Sequence, residues 1–251
     1  MRPKNFVHTL DKSLSEKIFQ DDDFRNMTDK IQPDELDKVC AYVYSASLPE
    51  IADDSLHEMA HLACDTFDIA PVKLYLKRSY DFDVTCGGYN EPVIILPAAL
   101  LEQNDREIIQ CRLFAAAGAV AANHHKLAFL IWIAENLGGV ATLPLVGEVV
   151  QGFFYEWARA RQFTMDRAVL SATNDLPLTL KNILYGVVPF DVLKNFSFGS
   201  DDDTFLEQTQ RYLKNDNPAQ MLGKAFSFFS DYAWLPRRYK EIQDFYRGEA
   251  S

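Results

Sequence analysis

Residues 92–122 have the sequence PVIILPAALLEQNDREIIQCRLFAAAGAVAA, from which the fold class can be predicted. The apolar run 92–96 predicts a short buried strand. From Ala98 onward the pattern favours helix almost throughout. The small residues at 115–122 predict a smooth helix face that allows a neighbouring helix to approach closely. A small sheet between blocks of helix predicts an α+β fold in which helix dominates.

The sequence before this stretch predicts more helix and one more strand. Residues from about 5 to 47 are amphipathic and favour helix. The run Asp-Asp-Ser at 53–55 supplies capping side chains for a helix over 56–67. The alternation at 72–77 predicts a strand, and the two glycines within 86–90 predict a turn.

Composition limits the class of protein. The 251 residues, 48% of them hydrophobic, can bury the core of one domain, so we expect a single domain over 1–251. A net charge of −11 without a basic stripe argues against nucleic acid and anionic membranes as partners. Four scattered cysteines and a polar start without a secretory signal predict reduced thiols and a cytoplasmic location.

The most apolar stretch of the chain runs over 127–154. Its longest uninterrupted part, 137–147, is well below the roughly 20 apolar residues that a membrane-spanning helix needs. Gly138, Gly139 and Pro144 predict two helices joined by a bend. We interpret the stretch as a helical hairpin that is buried or lies on the surface, with membrane contact as the alternative.

One motif, His57-Glu58-Met59-Ala60-His61, is a literal HExxH. On a helix the two imidazoles share a face and can bind one zinc ion, with Glu58 beside them as general base. A third ligand is also needed, and no downstream Glu or His stands at a recognised spacing. The other interpretation is an exposed amphipathic helix whose two histidines are ordinary polar residues.

A second motif, WARARQFTMDR at 157–167, resembles the W-x-R-x-x-E-F-x-A-D-R helix of the HtpX-like and CAAX prenyl protease-like zinc metallopeptidases, which are gluzincins. Segments before it resemble that family's edge strand, hairpin and approach to its zinc helix, at 74–76, 87–88, 92–96, 100–102 and 105–107. The resemblance covers roughly 55–245 and leaves 1–50 as an N-terminal helical extension. It implies a predominantly helical, gluzincin-like metallopeptidase domain with a small sheet and long core helices.

The chain departs from this family wherever zinc should be held. In the register of the resemblance, the family's HExxH falls on FAAAG, where Phe114, Ala115 and Gly118 offer neither ligand nor base. The third ligand falls on Gln162, whose neutral amide oxygen is a poor zinc ligand. The Asp that would orient a zinc-bound histidine matches Asp166. The resemblance therefore implies no catalytic residue, no metal and no cofactor at this site.

These observations favour a catalytically inactive metallopeptidase homologue. Such a pseudo-peptidase would bind a peptide or protein at the former substrate groove by strand pairing, and its former active site is expected to be a packed, dry core. The alternative is an active zinc peptidase that uses His57, Glu58 and His61. A third hypothesis is a membrane-surface protein that uses the hairpin at 127–154.

Two other polar clusters each allow two interpretations. The pair His124-His125 can mark a metal or polar pocket, or it can end the alanine-rich helix and complement the helix dipole. The three arginines of the segment 157–167, with Asp166, can bind an acidic ligand, or they can form ion pairs that fix their helix. We expect the structural interpretation for both clusters.

Overall fold

The computed structural model describes residues 5–22, 25, 33–78, 84–137, 148–186 and 235–249. In chain order these residues form α1 (Thr9–Gln20), α2 (Pro33–Ser47), α3 (Asp54–Phe67), β1 (Lys73–Lys77), β2 (Thr85–Gly87), β3 (Val93–Pro97), α4 (Ala98–Glu102), α5 (Arg106–Ala121), α6 (His124–Leu137), α7 (Glu148–Thr173), α8 (Leu176–Tyr185) and α9 (Leu235–Arg247). Helix dominates and the strands form one small sheet, so the predicted α+β class is confirmed.

The three strands lie in the order β1-β3-β2, with β3 in the centre. β1 runs parallel to β3, and β2 runs antiparallel to it. All five residues of β3 are buried, as its apolar run predicts. The outer edge of β1 is occupied by the segment 49–51. There the Leu76 N–H donates to the Pro49 carbonyl at 3.0 Å, and the Ile51 N–H donates to β1 at 2.9 Å.

The turn predicted over 86–90 is wrong for its first half. Thr85–Gly87 is a strand, and the chain turns only at Gly88, whose φ is 97°. A Cβ at Gly88 would lie 2.2 Å from the Glu91 carbonyl oxygen, so the position requires glycine. A strand of three residues is too short to show a periodic pattern in the sequence, which is why the prediction missed it.

The helices that flank the sheet begin at capping carboxylates. Asp53 accepts a hydrogen bond from the Leu56 N–H at 2.8 Å, and Asp105 accepts one from the Ile108 N–H at 3.2 Å. Each carboxylate satisfies a backbone donor that has no partner inside the helix. The cap predicted at 53–55 is therefore confirmed, although the helix begins two residues earlier than predicted.

The central helix is α5, which packs on both α3 and α7. Every residue from 111 to 120 is buried. A Cβ on Gly118 would lie 2.3 Å from the Cβ of Ala168 on α7, so the two helices approach more closely there than any larger residue allows. This observation confirms the close packing predicted from the small residues. Phe114 lies in the main apolar core with Leu96.

The first helix is an integral part of this arrangement. α1 packs on α7, and it buries Leu14 and Ile18 in a second apolar cluster with Leu127 and Trp157. Burial of these apolar side chains stabilises the contact between α1 and α7. The N-terminal segment thus shares a core with the region that the sequence resemblance covers.

The apolar stretch at 127–154 includes most of α6 and the first residues of α7, as the predicted pair of helices requires. The connection at 138–147, with the predicted bend, lies outside the described residues. Among the helices that the structure describes, none is long and apolar enough to cross a membrane.

Candidate functional site

A small cavity lies where α5, α7 and α8 approach β2. Its volume is about 50 Å³, and Ala115, Gln162 and Asp166 line it. These are three of the five positions at which the sequence resemblance placed the lost zinc site. The other two lie elsewhere, Gly118 at the close contact with α7 and Phe114 in the apolar core. The prediction of a fully packed core is therefore wrong here, because polar side chains surround a cavity.

Asp166 provides the one carboxylate among the described residues that line the cavity. The Arg238 Nε donates to Asp166 Oδ2 at 2.8 Å, and the Arg238 Nη2 donates to Asp166 Oδ1 at 2.7 Å. Both side chains are buried, and two parallel charge-assisted bonds of this kind are strong and directional. The pair joins α9 to α7, and both oxygens of the carboxylate accept from one guanidinium.

Arg112 brings a second guanidinium to the cavity from the middle of α5. The side chain is buried, and its Nη2 donates to the Asn182 backbone carbonyl of α8 at 2.8 Å. A Cβ on Gly186 would lie 2.8 Å from the same Nη2. The glycine at the end of α8 therefore leaves the space that this guanidinium occupies.

Two charged residues of α7, Asp166 and Arg167, form ion pairs that hold the helix, as predicted. Besides the pair of Asp166 with Arg238, the Arg167 Nη2 lies 3.8 Å from a carboxylate oxygen of Glu241 on α9. The guanidinium of Arg167 also lies 4.8 Å from the centre of the Phe245 ring. These contacts hold α9 against α7 through both charge and apolar area.

Arg161 differs from Arg167 and Arg238, and the predicted ion pair is wrong for it. Its guanidinium lies over the indole ring of Trp157, 5.2 Å from the ring centre. Its Nε is buried without a hydrogen-bond acceptor, and it forms no ion pair within the part of the chain that the structure describes. Arg161 lines the cavity, and no described carboxylate neutralises its charge.

His124 reaches the cavity from the start of α6 and is held there by α1. Its Nε2 lies 2.7 Å from Asp11 Oδ2, and the Thr164 hydroxyl donates to the same oxygen. Both residues of the His–Asp pair are at most 2% exposed. Burial raises the pKa of Asp11, but the charge of His124 and the hydrogen bonds outweigh burial and lower this pKa below its ordinary 3.8. The Asp11 carboxylate is therefore ionised at neutral pH and orients the imidazole.

The prediction that His124 and His125 end the alanine-rich helix is wrong. α5 ends at Ala121, Asn123 adopts a left-handed conformation with φ 62°, and both histidines begin α6. A positive charge is unfavourable at the start of a helix. Burial, followed by the charge of Lys126, lowers the pKa of His125 to about 4, so this ring is neutral at pH 7.

Cys86 of β2 also lines the cavity. Burial raises the pKa of its thiol to about 11, although the charge of Arg161 opposes this rise. The thiol is therefore protonated at neutral pH, and a protonated thiol is a poor nucleophile. Cys86 thus contributes a small, weakly polar wall rather than a reactive group.

The HExxH motif lies on α3, and none of its residues lines the cavity. The His57 Nε2 is 2.8 Å from the Ile51 carbonyl oxygen, so this nitrogen serves as a donor to the backbone. Glu58 and His61 are exposed. Across the described ranges, no group of three His, Cys, Asp or Glu side chains could hold a metal ion.

Sequence reasoning missed Arg112, Asn182 and Arg238, which line the cavity, and Asp11, which orients the lining residue His124. Arg112 did carry a signal, because it is the one charged residue in the apolar run 108–122, and a charge within a buried helix needs a partner. Asp11 and Arg238 carried no signal. Their partners lie 113 and 72 residues away along the chain.

Comparison with known proteins gives no relative. No protein-family model matches the chain, and no curated protein or solved structure is significantly similar to it. A functional proposal therefore depends on the residues of the cavity, with the sequence resemblance as its second support.

Proposed function

We propose that this chain is a non-catalytic peptide-binding protein built on a gluzincin-like, HtpX-type metallopeptidase domain. One observation carries the proposal. The cavity is lined by three residues of the lost zinc site: Ala115 matches the general base, Gln162 the third ligand, and Asp166 the residue that would orient a zinc-bound histidine. The only carboxylate of these three is paired with Arg238.

The chemistry of these side chains is unsuited to zinc. Alanine has no donor atom, and the amide oxygen of Gln162 is a weak ligand for this metal. To bind a cation, Asp166 would have to break its buried bidentate pair with Arg238. Breaking that pair would remove the carboxylate that compensates the buried guanidinium, which is unfavourable. Three nearby guanidinium groups would also repel a divalent cation. The arrangement therefore favours binding without hydrolysis.

The position of β2 supports a peptide as the bound partner. β2 is at an edge of the sheet beside the cavity, and within the described residues it pairs with β3 alone. The opposite edge is occupied by the segment 49–51. An extended peptide that adds to β2 would gain backbone hydrogen bonds there. Because β2 has only three residues, contacts inside the cavity would have to supply the rest of the affinity.

The test uses fluorescein-labelled β-casein, an unfolded protein that offers many extended segments. We expect the purified full chain to bind it with a saturable rise in fluorescence anisotropy. We also expect the casein to remain intact after incubation with zinc. A lack of binding would overturn the proposal, and so would cleavage that a chelator abolishes.

A pair of variants locates the binding. Ala115→Leu places three extra carbons in the cavity and should weaken casein binding at least about tenfold. Ala46→Leu makes the same change on the exposed face of α2 and should leave the affinity unchanged. Equal affinities for both variants would place the binding surface away from the cavity.

The second candidate function is a zinc peptidase that uses His57, Glu58 and His61. The observation in its favour is that Glu58 and His61 are both exposed on one helix and are accessible to solvent. Zinc content of protein made without a His-tag distinguishes the candidates. Stoichiometric zinc that His57→Ala removes, together with hydrolysis that Glu58→Gln removes, would establish this second function and end the first.

A further inference from the structure

The lining of the cavity is positively charged, although the chain as a whole carries a net charge of −11. Among the described lining residues, Arg112, Arg161 and Arg238 face the single carboxylate of Asp166. Asp166 is paired with Arg238, and Arg161 has no carboxylate partner among the described residues, so its positive charge is not neutralised there. Like charges at close range repel, so a bound anion would stabilise this arrangement.

Arg161 is the cation that most needs such an anion. Trp157 covers the face of its guanidinium, which leaves the N–H groups at the edge of the plane for other partners. Its Nε is buried with no acceptor. A buried donor without an acceptor costs stability, and a charged donor costs more than a neutral one. A carboxylate fits this edge because its two oxygens can accept two parallel N–H groups.

Asn182 and His124 also bring buried atoms without a hydrogen bond to the lining. The side-chain Oδ1 of Asn182 and the Nδ1 of His124 have no hydrogen bond, and the two residues are 1% and 2% exposed. Asn182 Oδ1 is a hydrogen-bond acceptor, so its partner must be a donor such as an N–H group and not a second anion. A ligand with a carboxylate beside an N–H group offers acceptors for Arg161 and a donor for Asn182. The last residue of a peptide has this chemistry, since its carboxylate is one carbon away from its backbone N–H.

The size of the cavity limits the ligand to such a small group. Its volume of about 50 Å³ exceeds the roughly 10–15 Å³ that one water needs, but it is far below the roughly 300 Å³ at which pockets for whole small molecules begin. A carboxylate with its adjoining atoms fits, while the rest of the ligand must lie outside. Thr85 and Cys86 of β2 form one wall of the cavity, so an extended chain leaving it would meet the edge of the sheet.

We infer that this cavity binds a carboxylate, supplied by the C-terminus of the peptide that occupies the edge of β2. The part of the inference that concerns a peptide rests on the proposed function, whereas the binding of a carboxylate in the cavity does not. A free small carboxylate has the same chemistry, and the experiment distinguishes the two sources. The named contacts are Arg161 to the carboxylate oxygens and Asn182 Oδ1 to the adjoining N–H.

The experiment is isothermal titration calorimetry of the full chain at constant ionic strength. Two pools of random hexapeptides are compared that differ only at the C-terminus, which is a carboxylate in one and an amide in the other. Acetate and succinate serve as free carboxylates. We expect the carboxylate pool to bind at least about tenfold more tightly than the amide pool, because a lost charged hydrogen bond has this effect.

Variants assign the preference to the cavity. Arg161→Gln should remove the difference in affinity between the two pools. Arg161→Lys keeps the positive charge but lacks the planar pair of N–H donors, so it should retain part of that difference. Arg159→Gln is the matched control, because it makes the same change on the same helix at a residue that does not line the cavity. Circular dichroism and a thermal melt of each variant verify that it is folded.

Each outcome decides the inference. A preference for the carboxylate pool that Arg161→Gln abolishes and Arg159→Gln leaves intact supports both the inference and the proposed function. Binding of acetate and succinate alone, sensitive to Arg161→Gln, supports the anion site and overturns peptide binding. Equal binding of both pools overturns the carboxylate while the proposed function survives. No binding of any probe overturns both.

Discussion

The contact between α5 and α7 differs at two points that lie one helical turn apart. At Gly118 a Cβ would come within 2.3 Å of Ala168, whereas at Ala115 the same two helices border a cavity of about 50 Å³. Side-chain size on α5 does not explain the difference, because both residues are small. Buried charge explains it, since Arg112 and the pair of Asp166 with Arg238 occupy the end where the cavity lies. Small residues allow two helices to meet, but charged neighbours determine where they do.

The largest expected effect comes from breaking the charged end of this contact. Asp166→Asn leaves the buried Arg238 without its counter-charge and should lower the free energy of unfolding by about 3–5 kcal/mol. Urea denaturation measures the loss. Glu35→Gln removes a carboxylate from the exposed pair with Lys38 and should change nothing measurable. A loss below about 1 kcal/mol for Asp166→Asn would mean that the ion pair does not support the cavity.

A smaller loss is expected at the tight end. Gly118→Ala places a methyl group against Ala168 and should destabilise the protein by about 1–3 kcal/mol, in spite of the higher helix propensity of alanine. The double variant Gly118→Ala with Ala168→Gly moves the methyl group from one helix to the other and should recover most of the loss. A single variant as stable as the parent would contradict the close approach.

The third effect concerns acid, because Asp11 orients the cavity's histidine from α1. Its pKa is lowered in the folded state, so its stabilising contribution is complete above the ordinary value of 3.8 and is lost as the pH falls through the lower folded value. The difference in unfolding free energy between the parent and Asp11→Asn should therefore stay nearly constant from pH 6 to about 5 and shrink as the pH is lowered below about 4. Thermal or urea melts across this range measure it. A difference that stays constant with pH would show that the carboxylate charge is not what matters.

The smallest effect is expected where the helices already leave space. Ala115→Leu puts its added carbons into the cavity and should change the free energy of unfolding by less than about 1 kcal/mol. Its value should lie well below that of Gly118→Ala, three residues along the same helix. A reversed order of the two losses would mean that the space at Ala115 is not available to a side chain.

Much of the framework was readable from the sequence. The strands near 72–77 and 92–96, the carboxylate cap at 53–55 and the smooth face of α5 all depend on residues close together in the chain. Local patterns of this kind reflect backbone geometry and capping, which a sequence displays directly. β2 was missed because three residues show no period.

The site was less readable, because its residues meet only through the tertiary fold. Of the five positions to which the resemblance pointed, Ala115, Gln162 and Asp166 lie together, whereas Phe114 and Gly118 lie elsewhere. The resemblance said nothing of the side chains that neutralise or orient these residues. The pairing of His124 with Asp11 spans 113 residues. His124 was also assigned to the wrong helix end, although the left-handed Asn123 before it is a residue type that commonly ends a helix.

The segment 49–51 along β1 has a consequence for self-association. An open sheet can recruit copies of itself at both edges, and that is how fibrils grow. Within the described residues, the segment 49–51 covers the outer edge of β1, which leaves β2 as the edge at which another strand could pair. Two copies joined at β2 would form a dimer whose two β1 edges are each covered by a segment 49–51, which would hinder further growth of the sheet.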